Sequence, residues 1–84
     1  MAAMIDEAVR GALNAWNAAA ESALHTILEH VPIERVSRTT GNGASGPELN
    51  LLVDGSLVCR LWWRWEDGVG RLQEEWTPHW QDRR

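Results

Sequence analysis

Glu21, His25 and Glu29 recur at intervals of four residues. On an α-helix that spacing sets all three on one face, where two carboxylates around an imidazole suit a metal ion or a tuned general base. A metal centre needs three or four convergent ligands, and no second cluster of such residues accompanies the trio. Glu–His pairs at this spacing are also ordinary surface contacts worth about 0.2–0.5 kcal/mol each. The trio is thus a weak metal set, and a solvated helix face is the expectation. His30 and His79 have no evident partners.

Gly41-Asn42-Gly43-Ala44-Ser45-Gly46 spells G-x-G-x-x-G. A dinucleotide site requires that motif between a strand and a helix, so that the helix N-terminus meets the pyrophosphate. Here Pro47 and a strand pattern follow. Where a kinase Gly-rich loop has Val this chain has Glu48, and Pro47 and Glu48 stand where a phosphate loop needs Lys and Ser/Thr. The segment reads as a flexible hairpin loop. A small-molecule or nucleotide binder using residues 41–47 is kept as the alternative function.

Cys59, the single cysteine, is expected to point into the core, away from the exposed electropositive setting that a reactive thiol needs. Ser22, Ser37, Ser45 and Ser56 lie in no Gly-x-Ser-x-Gly context. No reaction and no cofactor is specified, and the chain is not expected to be an enzyme; a metal-dependent one would have to use Glu21, His25 and Glu29.

The segment Arg60-Leu61-Trp62-Trp63-Arg64-Trp65 says most. Side chains alternate along a strand. With Leu61, Trp63 and Trp65 inward, Arg60, Trp62 and Arg64 form an outward row, accompanied by Leu52 and Val58 on the outer face. A Trp between two Arg has the chemistry of a protein-binding hot spot. The competing reading covers Trp62 with the Arg stems, through cation–π contact, or with the C-terminal tail. Single-stranded nucleic acid is a third partner class, with Trp62 stacking a base and the Arg pair holding phosphate.

The elements that must hold these residues are legible from periodicity. Over residues 4–31, apolar side chains at Ile5, Ala8, Val9, Ala12, Leu13, Trp16, Ala20, Ala23, Leu24, Ile27, Leu28 and Val31 make one helical stripe. Asp6 and Glu7 are placed in its first turn, where acids suit the positive dipole end. Pro32 stops the helix near His30. Residues 33–40 read as a strand, and 48–53 with 56–66 as a hairpin around Asp54-Gly55. A three-residue connection with Gly55 as the bulge residue puts Leu49, Leu51, Leu57, Cys59, Leu61, Trp63 and Trp65 on one face. Glu66 to Gly70 is the next turn, and 71–76 returns as a strand, a short helix being the alternative. Residues 77–84 form a polar tail that Trp80 can pin. The fold class is α+β: a single domain, 1–84, with one long N-terminal amphipathic helix on a three- or four-stranded antiparallel sheet, in the order α-β-β-β-β.

Composition bounds the rest. A chain of eighty-four residues buries only about 60–65% of the surface it exposes unfolded, and six Trp are its only aromatic filler in the absence of Phe and Tyr. All eight basic residues are Arg, the net charge is −4, and no basic block is present, which argues against duplex nucleic acid. No apolar run approaches the ~20 residues that span a bilayer, and no secretory signal pattern opens the chain, so a cytoplasmic protein is expected. The expected function is a small protein-binding module, an inhibitor or adaptor of the phage-encoded, counter-defence type. Its partner is another protein, met through Arg60, Trp62, Arg64, Leu52 and Val58, with homodimerisation through the same face as an option.

Overall fold

A computed structural model describes the backbone of residues 2–43 and 46–82 and the side chains of 10–43 and 46–82. Helix α1 spans Ala2–Leu28 and is followed by a single 3₁₀ turn, Ile33–Arg35. Strands β1 (Val36–Gly43), β2 (Gly46–Val53), β3 (Ser56–Glu66) and β4 (Val69–Trp76) come next, and a short helix α2 (Pro78–Gln81) closes the described chain. The strands form one antiparallel meander in the order β1-β2-β3-β4. The α-β-β-β-β architecture is therefore as the sequence implies, and 71–76 is strand.

Several boundaries move for identifiable reasons. Because α1 begins at Ala2, no acid lies in its first turn. The helix winds down through Glu29 N–H to His25 O (3.1 Å) and Val31 N–H to Ile27 O (3.2 Å), one residue before Pro32. Pro32 then starts a 3₁₀ turn, with Arg35 N–H donating to its carbonyl at 3.1 Å, so Ile33 to Arg35 are not strand and Ile33 is exposed. The Gly-rich segment pairs as strand up to Gly43 opposite Gly46, leaving Ala44 and Ser45 outside the described residues.

The β2–β3 hairpin corrects the expected register. Asp54 (φ 52°) and Gly55 (φ 81°) are both left-handed, the signature of a two-residue type I′ turn whose twist matches the flanking strands. Val53 faces Ser56 and Leu52 faces Leu57, but Leu51 faces Cys59. The extra residue is Val58, so the bulge lies inside β3 and not at Gly55. Beyond it, Leu49, Leu51, Cys59 and Leu61 share the inner face as expected. At the bulge the parity inverts: Leu57 is 43% exposed and Val58 only 2%. The next turn is shortened in the same manner, with Asp67 (φ 52°) and Gly68 (φ 78°) alone between paired Glu66 and Val69.

The core is concentrated at one end. Ala23, Ile27 and Val31 of the helical segment meet Leu49, Leu51, Val58, Cys59, Leu61 and Trp76 of the sheet. Trp80 on α2 is buried against this end and contacts His30 edge-on at 5.8 Å. Thr77 N–H donates to Val58 O at 2.9 Å, tying the tail to the bulge. Val31 lies near Val58, and Trp16 stacks on Trp63, so α1 runs along β3 in the opposite sense. Residues 10–15 of the helix are all exposed.

Candidate functional site

The expected row on the outer face forms, in a modified state. Arg60, Trp62 and Arg64 alternate on the sheet face away from α1, across from Glu48, Asn50 and Gln73. The Arg60 guanidinium carbon sits 4.8 Å from the centroid of the Trp62 ring, within cation–π range, and Trp62 is half-buried beneath it. Arg60 Nη2 donates to Glu48 Oε2 at 3.2 Å, and Arg64 Nε to Glu66 Oε1 at 2.7 Å. Asn50 Nδ2 donates weakly to Glu48 Oε1 and Thr39 Oγ1, each at 3.4 Å. Both cations of the row thus already have carboxylate partners, and the face is a mixed polar surface. Leu52 is half-buried there. Val58 is not part of it: the bulge turns it into the core, which removes it from the expected contact set. Trp80, which could have brought the tail over the row, packs instead beside His30.

The other expected sites come apart. Glu21 and His25 are exposed on α1 and Glu29 is exposed just past its end, and among the described residues no three His, Cys, Asp or Glu side chains converge on a metal position. Cys59 is fully buried. Among the described residues no helix is long and apolar enough to cross a membrane.

A feature that periodicity did not expose lies on the inner face. Where residues 10–15 of α1 leave the sheet, a groove of about 960 Å³ opens between helix and strands. Its closed end is the Trp16–Trp63 stack, with centroids 6.3 Å apart and planes 19° from parallel. Trp65 continues the aromatic series, 6.5 Å from Trp63 and tilted by 32°. Leu72, opposite Trp63, completes the floor, and Gly11, Ala12 and Ala15 form the helix wall. Leu13 is 55% exposed and Trp65 61% exposed at its mouth. Val69, the first residue of β4, is also exposed. Glu48 borders the groove, but its carboxylate is turned to the outer face, where Arg60 holds it.

Local sequence explains this arrangement. A built Cβ on Gly70 would meet the Trp65 indole at 2.9 Å; the glycine opposite Trp65 lets the ring lie across the neighbouring strand. No length signal marked the groove: α1, about 40 Å long, and the eleven-residue β3, about 36 Å, are nearly matched, and periodicity assigns faces without saying where two elements part.

No family model, curated protein or solved structure matches the chain. Its chemistry rests on its own geometry.

Proposed function

We propose that this chain is a non-catalytic protein-binding module, an inhibitor or adaptor, whose principal contact surface is the groove between the N-terminal half of α1 and the sheet. One observation supports this above the others. Three indoles, Trp16, Trp63 and Trp65, run from the core edge to solvent along a cleft of about 960 Å³ that the described residues leave open. Exposed aromatic residues in a preformed concave apolar surface are the usual anchors of polypeptide recognition. The Arg60–Trp62–Arg64 row is a subsidiary contact. Its cations must first exchange Glu48 and Glu66 for a partner's carboxylates, and exposed pairs of that kind contribute only about 0–1 kcal/mol.

The test is capture of polypeptide, a tagged second copy included, by immobilised wild type, Trp65→Arg and Trp62→Ala. Capture weakened at least tenfold by Trp65→Arg and little changed by Trp62→Ala supports the groove. The reverse pattern moves the contact to the outer face, and undiminished capture by both variants rejects the reading.

A second reading has its own support. The groove volume falls within the range of small-molecule sites, about 300–1,000 Å³, and Thr40, Gly41 and Pro47 at the edge of the Gly-rich segment line it. An apolar small molecule, retained at unit stoichiometry in native mass spectra, would favour that reading.

A further inference from the structure

We infer that the groove is filled by the same groove of a second copy of this chain, making a two-fold symmetric dimer. The inference rests on the groove as a polypeptide-binding surface and names its occupant. The surface area is the first argument. A compact monomer of 9.5 kDa exposes about 5,000 Å², whereas this chain exposes 6026 Å². The surplus over the whole elongated chain, about 1,000 Å², is enough to supply one partner's share of a stable interface, about 800 Å², and the groove is one part of it. The shape agrees: the radius of gyration is 14.3 Å, against about 12 Å for a compact chain of this length.

Self-complementarity is the second argument. The groove sets a projecting apolar element, the helix edge at Leu13, beside a recessed one, the floor of Trp63, Trp65 and Leu72. A two-fold axis requires that residue i meets j while j meets i, and this pairing does so: Leu13 of each copy enters the other's floor, and both exposed mouths close together. The helix wall of Gly11, Ala12 and Ala15 allows close approach.

Charge is the third. A net charge of −4 repels copies in general, but the described side chains that line the groove are uncharged, the Glu48 carboxylate being turned to Arg60 on the outer face. Among the described residues no like charges meet at this face, whereas the outer face would set the Arg60–Glu48 and Arg64–Glu66 pairs against their own images and desolvate them. The dimer would leave the Arg60–Trp62–Arg64 row displayed twice, facing outward.

Sedimentation equilibrium on the full chain tests this, with Leu13→Asp, Trp65→Asp and the outer-face control Trp62→Asp, each checked for native helicity by circular dichroism. Leu13 and Trp65 are exposed in the monomer, so their replacement spares the core. The expected result is wild type at twice the chain mass, with dimerisation weakened at least tenfold by either groove variant and less than twofold by Trp62→Asp. Wild type at single mass at about 100 µM, a loading that would reveal any micromolar dimer, overturns the inference. If Trp65-dependent capture of another polypeptide then persists, the groove reading survives and only its occupant changes. A dimer weakened by Trp62→Asp alone overturns both the pairing and the choice of groove.

Discussion

The indoles of Trp16 and Trp63 stack 6.3 Å apart, 19° from parallel, and this contact marks where α1 parts from the sheet. On its core side the helix is anchored by Ala23 and Ile27, both buried; on the other side residues 10–15 face solvent. Helices depend on tertiary packing of an apolar face more than on propensity. Trp16→Ala therefore removes half-buried aromatic area and releases the helix end together. A loss of about 1–3 kcal/mol is expected, with a melting-temperature fall of about 4–8 °C per kcal/mol and reduced helical signal at 222 nm. An unchanged melting curve would show that the stack carries no weight.

The bulge makes a paired prediction at adjacent residues. Val58→Asp puts an unpaired charge in the core and should cost about 3–5 kcal/mol, enough to unfold a chain this small. Leu57→Asp replaces a half-solvated side chain and should cost less than about 1 kcal/mol. Urea melts of the two variants separate the observed register from the three-residue connection, which demands the opposite ranking.

Gly70 bears on the groove through Trp65. Adding a methyl group there forces the indole off the neighbouring strand, because the nearest ring carbon lies 2.9 Å from the new Cβ. Gly70→Ala should leave the fold intact and shift the Trp65 indole N–H resonance, assigned by comparison with Trp65→Phe. A stationary resonance would contradict the placement of the ring.

The loop after α1 is tied to the hairpin by an exposed fork. Arg35 Nε donates to Asp54 Oδ1 at 3.1 Å and Oδ2 at 3.0 Å, and Asp54 N–H donates to Arg35 O at 2.9 Å. The Arg35 hydrogen bond holds the Asp54 carboxyl below its ordinary value of 3.8. A lowered carboxyl value means stability that is present above the unfolded value and lost as pH falls through the folded one. Both groups are exposed, so the effect is small and salt-screened. Asn tolerates the left-handed turn position, which makes Asp54→Asn a clean charge test. Its melting temperature should lie slightly below wild type at pH 7, and the gap should close as pH falls below the ordinary Asp value and through the lowered folded one. A gap that persists in acid would mean the charge is not the cause.

Cys59 is completely buried, and thiol chemistry requires access. Modification by an aromatic disulfide reagent should be slow in buffer and accelerate in step with urea unfolding. Immediate reaction of the folded protein would remove Cys59 from the core.

The sequence by itself determined the element order and most of the sheet's facing. Residue types at steps of three and four specify α1, Pro32 ends it, and alternation along 59–65 sends Cys59, Leu61, Trp63 and Trp65 one way and Arg60, Trp62 and Arg64 the other. These are local properties of a backbone with fixed periods. Tertiary structure alone decided where the hairpin's extra residue went, because a turn at Gly55 and a bulge at Val58 give the same facing beyond Cys59. The choice depends on whether Leu57 or Val58 packs under Val53 and Trp80, residues distant in the chain. It also decided that Trp65 faces the helix side yet meets solvent. Direction along a strand is set by neighbouring bonds, but burial requires another element to arrive, and the exposed stretch of α1 at residues 10–15 does not close over it.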